Sequence, residues 1–500
     1  MNKQVIFIMT DTQRTDMLGC YGNEDMHTPN LDRLAEDGLR YTKAQTTTPV
    51  CAPARGAIFT GLYPHANGVV TNSIAMGNNI KTIGQRLTDK GIHCGYVGKW
   101  HLDGSDYFGN GYCPDGWDPN YWYDMRTYLG ELTEDQRIRS RKSKTSFEDD
   151  FTEELMYAHR CSDKAIDFLE NYNEEAFFLS ISYDEPHGPC LCPEPYNTMY
   201  EGYKMPYSKN FEDDLQDKTL MQRLWSGPDI EKTGEDLNTS SDHLSLFLGC
   251  NSFVDAEIGR VVNAIEELCP DAMIIYTSDH GDMLKNHKLN SKNCCVYKEV
   301  QNIPLIIKGG AKGVIDDPAS HIDLVPTIMD YLDVSIPNLL QGKSMLAQIH
   351  DGKTKINDYV FSEFARYELI QDFNCGFQPM RSVYDGRYKL AINLLDTDEL
   401  YDTYEDPDEI NNLINNETYQ KVRNDLHDVL LKWMDDTRDI YRGYQWACRL
   451  WRPELKPSKT MAGFVRQTEN EEYEPRQLNY DTGMPMETAV RKKVFGADKK

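Results

Sequence analysis

Apolar residues along the first two thirds of the chain fall into short unbroken runs separated by stretches of helical period. Val5-Ile6-Phe7-Ile8-Met9 is apolar throughout, the pattern of a strand buried on both faces. Pro29 opens a helical stretch through Leu31, Leu34 and Ala35, and Gly38 stops it. Further strands are predicted at His93–Val97, Phe177–Tyr183, Met273–Thr277 and Ile303–Ile307. A long amphipathic helix is predicted before the fourth of these, with Leu244, Phe247, Leu248, Asn251, Val254, Ile258, Val261, Val262 and Ile265 on its pattern. Strands alternating with helices predict an α/β fold, a large mostly parallel sheet with helices on both faces.

The pattern changes near residue 356. Tyr359-Val360-Phe361 and Tyr388-Lys389-Leu390-Ala391-Ile392 read as antiparallel strands, with turns at Asp385-Gly386 and near Asp396, and a helix follows over about Thr418 to Met434. This predicts a large domain over 1–355 and a smaller α+β domain with an antiparallel sheet over 356–500. Beyond Trp451 the chain is rich in Pro, Lys, Glu and Tyr without periodicity. No internal repeat or low-complexity tract interrupts it.

A net charge of −27, from 80 acidic and 53 basic residues, repels phosphate backbones and anionic lipid, so no nucleic-acid or membrane partner is expected. No run reaches the roughly eighteen apolar residues of a membrane span, and the first ten residues carry no signal-peptide core. The thirteen cysteines are scattered and odd in number, and Cys190/Cys192 and Cys294-Cys295 lack zinc-site spacing. Reduced thiols and a cytoplasmic location are the expectation. Any anionic substrate would then need local positive charge, from a metal ion or a few basic side chains.

In open parallel sheets ligands bind beyond the carboxyl ends of the strands. The residues following the predicted strands are Asp11, then Gly98-Lys99-Trp100-His101, then Asp184-Glu185-Pro186-His187, and then Ser278-Asp279-His280-Gly281-Asp282. Any one such acid is as readily a turn or helix cap; four strand ends coinciding argue for a site. The most restrictive element is Thr48-Pro49-Val50-Cys51-Ala52-Pro53-Ala54-Arg55-Gly56, continued by Thr60-Gly61. Pro53 suits a first helical turn, which puts Cys51 at a helix N-terminus, where backbone N–H groups favour an anion. Arg55 carries a planar fork that could clamp a tetrahedral oxyanion.

With these elements in this order, the chain resembles the formylglycine-dependent type I sulfatases of the alkaline phosphatase superfamily, in particular their signal-less cytoplasmic bacterial branch. The match continues through Pro186-His187, Lys292 ahead of Tyr297, Ile303-Pro304-Leu305, Leu400-Tyr401-Asp402 and Asp406-Pro407-Asp408-Glu409-Ile410-Asn411-Asn412-Leu413. The resemblance implies that a maturation enzyme oxidises Cys51 to formylglycine. It puts Asp11, Asp279, His280 and an oxygen of the modified Cys51 on one divalent metal ion, Ca²⁺ by family habit, with Mn²⁺, Mg²⁺ or Zn²⁺ as alternatives. Arg55, Lys99, His101, His187 and Lys292 fall on sulfate-binding and proton-transfer positions, Lys288 and Lys298 being neighbouring rivals of Lys292.

The sequence departs from the common pattern twice. Thr12 follows Asp11 where many relatives carry a second acid, and His280 stands where many carry Asn. His280 is shared with relatives that cleave phosphonate monoesters and phosphodiesters, and an imidazole ligand is less typical of Ca²⁺ than of Mn²⁺ or Zn²⁺.

The implied activity is hydrolysis of sulfate monoesters of a small carbohydrate, or of an aryl or alkyl sulfate. A hydroxyl of the hydrated aldehyde attacks sulfur, His187 protonates the leaving oxygen, and His101 acts as base when the hydrate collapses. A phosphodiesterase or phosphonate monoester hydrolase on the same fold is the first rival reading, and a catalytically silent binding protein the second. Asp103, Glu185, Arg366 and Tyr367 are candidates for reading the alcohol part of the substrate. His65, His93 and His321 are read as ordinary surface or core histidines.

Overall fold

In the computed structural model, which describes residues 3–104, 107–374, 376–455 and 480–484, the first apolar run is β1 (Gln4–Thr10), buried along its whole length. Successive strand side chains point to opposite faces. Val5, Phe7 and Met9 accordingly enter one hydrophobic cluster, and Ile6 and Ile8 another. Double-sided burial is the reason this strand is uniformly apolar rather than alternating.

The other predicted strands form as β3 (His93–Gly98), β5 (Phe177–Ser182), β6 (Met273–Ser278) and β7 (Leu305–Lys308). Three strands that the apolar pattern does not mark complete the sheet: β2 (Leu39–Gln45), β4 (Trp122–Tyr123) and β8 (Gly313–Ser320). The order is β4-β3-β5-β1-β6-β7-β2-β8. Of these eight, β7 alone is reversed, pairing antiparallel with both β6 and β2, while the remaining neighbours pair in parallel. β8 holds Asp316, Asp317 and Pro318 and pairs only with β2, and proline is tolerated on such an edge.

Helices Pro29–Glu36, Tyr157–Tyr172 and Asp242–Leu268 pack on one face of the sheet through Leu34, Phe168 and Ile258. Helices Cys51–Thr60 and Leu324–Tyr331 pack on the other through Phe59 and Ile328. The 27-residue helix starts where the apolar period predicts, with Ser241 accepting a hydrogen bond from Leu244 N.

A second, antiparallel sheet has the order β12-β11-β10-β9, from β9 (Val360–Arg366), β10 (Phe377–Tyr384), β11 (Tyr388–Asn393) and β12 (Glu399–Asp402). Its central hairpin turns at Asp385-Gly386, where the Asp385 carboxylate accepts from the N–H groups of Arg387 and Tyr388. The chain divides into compact units at Leu413: the described residues up to Leu413 hold both sheets, and the described residues from Ile414 onward form the second unit. The boundary expected at 355/356 thus falls at a change of sheet inside the first unit. The second unit contains helix Gln420–Asp436, close to the predicted span. Most of the Pro- and Lys-rich stretch beyond Trp451 lies outside the described residues.

No helix among the described residues is long and apolar enough to cross a membrane. The described cysteines are free thiols.

Register positions the site. Met9 and Gly98 both stand opposite Ser182, and Thr10 stands opposite Ser278. The segments after β1, β3, β5 and β6 therefore leave the sheet at one level. Through the reversed β7, β2 points the same way, so its exit loop carries the chain to Cys51 at that same edge.

Candidate active site

Cys51 is the first residue of its helix, preceded by extended Val50, and its N-terminal turn is fixed by Ala52 N donating to Asn72 Oδ1 at 3.0 Å. The thiol sulfur lies 3.1 Å from His280 Nε2 and 4.0 Å from Asp11 Oδ1. Donor atoms of Asp11, Cys51, Asp279 and His280 all lie within 4.8 Å of one another, and all four residues are buried. His280 Nδ1 faces Gly281 O at 2.8 Å. A carbonyl only accepts, so Nδ1 carries the proton and Nε2 offers its lone pair to the cluster.

Gly98 ends β3 at φ +112°, and a Cβ there would stand 2.0 Å from Ser182 O. Only glycine fits that turn. The turn lets Lys99 N donate to Ser182 O at 2.7 Å and places Lys99 Nζ 2.8 Å from Asp11 Oδ2 and 2.9 Å from Asp184 Oδ1. Lys292 Nζ lies 4.0 Å from Asp11 Oδ1. Its sequence rivals are engaged elsewhere, Lys288 with Ile230 O and Lys298 with Pro407 O and Asp408.

Arg55, read from the sequence as an oxyanion clamp, is fully buried against the acids, with Nε 3.1 Å from Asp279 Oδ2 and Nη2 2.9 Å from Asp11 Oδ2. Its Nη1 donates to Lys99 O at 2.7 Å and Ser182 Oγ at 2.8 Å. The guanidinium bonds both carboxylates of the donor cluster, and the cation that lines the cavity is Lys292. Thr12 is likewise a support, its hydroxyl donating to Asp11 Oδ1 at 3.0 Å and its N–H to Asp279 Oδ1 at 3.3 Å.

The charges explain the titration of the acids. Burial opposes the Asp11 carboxylate, but Lys99, His187, Lys292 and Arg55 outweigh it and hold the pKa well below the ordinary range. Asp279 is pushed up by burial and by the charge of Asp11 beside it. Three carboxylates (Asp11, Asp184, Asp279) meet three fixed cations (Arg55, Lys99, Lys292), so a divalent ion in the cluster would make this spot positive on an acidic protein.

A cavity of 440 Å³ opens over Cys51, lined by His101, Tyr107, His187, Lys292 and Tyr367 among others. His101, at φ +57°, has a buried Nδ1 with no hydrogen-bond partner among the described residues. The aromatic Tyr107, which carries no motif, is the residue that sequence reasoning misses. Its hydroxyl meets Asp184, Lys99 and His187. Of the expected alcohol-reading residues, Tyr367 alone lines this cavity. Glu185 is buried and accepts from Ala158 N at 3.0 Å, and Arg366 pairs with Asp372 at 2.8 Å. Asp103 accepts from Asn110 N and is not among the cavity's lining residues. His65 pairs with Glu363, His93 with Asp118, and buried His321 lies 3.2 Å from Thr277 Oγ1.

Residues 3–334 match the sulfatase family model, and residues 286–436 match the model for the C-terminal region of N-sulphoglucosamine sulphohydrolase. The chain belongs to the sulfatase family. Among its relatives, the uncharacterized sulfatase YidJ of Escherichia coli is 42% identical, with 96% of each chain covered. The N-acetylglucosamine-6-O-sulfatase of Bacteroides thetaiotaomicron is 25% identical over 88% of this chain and 86% of that one. The fold of this sulfatase also matches the phosphonate monoester hydrolase of Agrobacterium radiobacter, at a TM-score of 0.72 and 22% identity, covering 86% of this chain and 95% of the other.

Proposed function

We propose that this sulfatase hydrolyses the sulfate monoester of a small carbohydrate, with Cys51, once converted to formylglycine, as its nucleophile. The observation that carries the reading is the position of the Cys51 sulfur, inside a buried donor cluster and at the floor of a cavity lined by Lys292 and two histidines. The sulfur marks where an oxygen of the modified residue would lie. The sugar sulfatase among the relatives supports the choice of alcohol.

The residues fit a divalent ion. Two carboxylates, a lone pair on His280 Nε2 and an atom of residue 51 form a mixed oxygen and nitrogen donor set, which suits Mn²⁺ or Zn²⁺ as well as Ca²⁺. Together, such an ion and formylglycine supply an activated hydroxyl for attack on sulfur. Arg55 holds Asp11 and Asp279 in place for the ion. Lys99 and Lys292 face the sulfuryl oxygens and counter the charge that builds on them.

His187 gives the leaving oxygen its proton as the S–O bond breaks. Burial, Lys292 and Lys99 push its imidazole down to about 3. A sulfuryl anion bound against the two ammoniums offsets that push and lets the ring hold the proton it delivers. His101, whose side chain lines the same cavity, takes up the proton released when sulfate departs.

The test compares sulfate, phosphate and phosphonate esters of one alcohol on purified enzyme whose Cys51 peptide has been assayed by mass. Loss of sulfur and gain of an aldehyde at Cys51, with sulfate turned over fastest, is the expected result. Full turnover by the unmodified thiol would remove the proposed nucleophile, and a preference for phosphonate would favour the second reading that His280 and the matching fold suggest.

A further inference from the structure

We propose that Tyr107 is a positioning residue for ester cleavage, coupling the Asp184 carboxylate to Nδ1 of His187 and thereby supporting the proton that Nε2 delivers to the leaving alcohol. The inference rests on the reading of His187 as the acid.

The geometry assigns the protons. The Tyr107 hydroxyl lies 2.5 Å from Asp184 Oδ1, 3.0 Å from His187 Nδ1 and 3.1 Å from Lys99 Nζ. A phenol has one proton, and an ionised carboxylate can only accept. Asp184 is held in that form: burial opposes the charge, but the Lys99 ammonium 2.9 Å away leads the charges that lower its pKa. The hydroxyl therefore donates to Asp184, and its oxygen is left to accept from Lys99 and from Nδ1–H of His187. Gly188 O, 3.1 Å from the same nitrogen, is a second acceptor. Both partners require Nδ1 to be protonated, so Nε2 is the nitrogen that gains and loses a proton.

When His187 carries its second proton, the positive ring faces an oxygen already polarised by a carboxylate, and a hydrogen bond with an ionised partner is stronger than a neutral one. In the cleavage step the Nε2 proton passes to the alcohol oxygen as that oxygen leaves sulfur. The ring returns to its neutral form, and no proton moves at Tyr107.

The aromatic ring has a separate packing role. Lys99 Nζ sits 4.1 Å from its centroid, and the rings of His101 and His187 lie 5.3 and 5.4 Å away. Tyr107→Phe keeps that wedge and removes only the hydroxyl.

The experiment measures kcat and KM of Cys51-converted enzyme, Tyr107→Phe and His187→Ala on glucosamine 6-sulfate and on 4-nitrophenyl sulfate. A nitrophenolate leaves without much help from an acid, whereas a sugar alkoxide depends on it. Tyr107→Phe should lower kcat on the sugar ester about 10- to 100-fold, the range for losing a hydrogen bond to a charged group. On the nitrophenyl ester kcat should stay within about twofold, with KM little changed on either. Equal losses on both esters, or no loss on the sugar ester, would overturn the role of Tyr107 even where His187→Ala separates the two substrates. If His187→Ala slows both alike, the acid assignment itself falls, and the proposal for Tyr107 falls with it.

Discussion

Replacing Arg55 by Met tests whether this guanidinium organises the donor cluster. The change keeps an unbranched side chain in a fully buried space and deletes four hydrogen bonds, two of them to Asp279 and Asp11 at 3.1 and 2.9 Å. Two buried carboxylates would then face each other with less compensation. Removing one partner from a buried charge pair typically costs about 3–5 kcal/mol, because the remaining charge is left without its counterion. A domain is stable by only about 5–15 kcal/mol, so a loss of that size is easily measured. Urea unfolding in excess chelator is the assay, with the midpoint converted to free energy at constant slope. A divalent ion relieves the same repulsion, so adding Mn²⁺ or Ca²⁺ should raise the stability of Arg55→Met more than that of the parent. Ion binding at a hundredfold excess over Kd is worth about 2.7 kcal/mol on its own, and the variant's extra gain should appear above that. A loss below about 1 kcal/mol in chelator, the scale of an exposed pair, together with an unchanged response to metal, would refute the reasoning.

Two further outcomes follow from the same charges. Asp279→Asn removes an ion donor and relieves like-charge contact with Asp11, so the protein should stay folded by circular dichroism, lose its metal by elemental analysis and lose turnover; retained metal would contradict the ligand assignment. Burial holds His321 neutral, down to about 3 against an ordinary 6.5, so the unfolded chain binds the extra proton first and stability must fall as pH drops below 6.5. That loss should reach about 2 kcal/mol by about pH 5, and His321→Gln should flatten this part of the pH–stability curve measured by urea unfolding; an unchanged slope would show that other groups carry it.

Much of the site is local enough to read directly from the chain. Asp11, Lys99, Asp184 and Asp279 each follow a strand that apolar runs reveal, and Cys51 precedes a proline that suits a first helical turn. Their convergence follows from one rule about parallel sheets, and the structure places them at one level. The antiparallel sheet, its turn at Asp385-Gly386 and the helix near 420–436 were likewise legible, since each rests on a short-range pattern of strand, turn or helix residues.

Tertiary structure alone decided the rest. β2 buries Leu39 and Tyr41 but leaves Arg40, Thr42 and Lys43 half-exposed, and β8 carries two aspartates and a proline, so neither shows a continuous apolar run. Direction is invisible as well, because β7 opens with the same kind of apolar run as the parallel strands of the sheet and only its pairing shows that it runs the other way. The targets of Arg55 come from four separate strand ends and cannot be inferred from a fork four residues after Cys51. Tyr107 lies in a loop whose local residues carry no signature; its meaning comes from Asp184 and His187, some eighty positions along the chain. Periodicity and turn chemistry act over a few residues and so are written locally, whereas strand order, direction and the partner of a buried charge are settled by long-range packing.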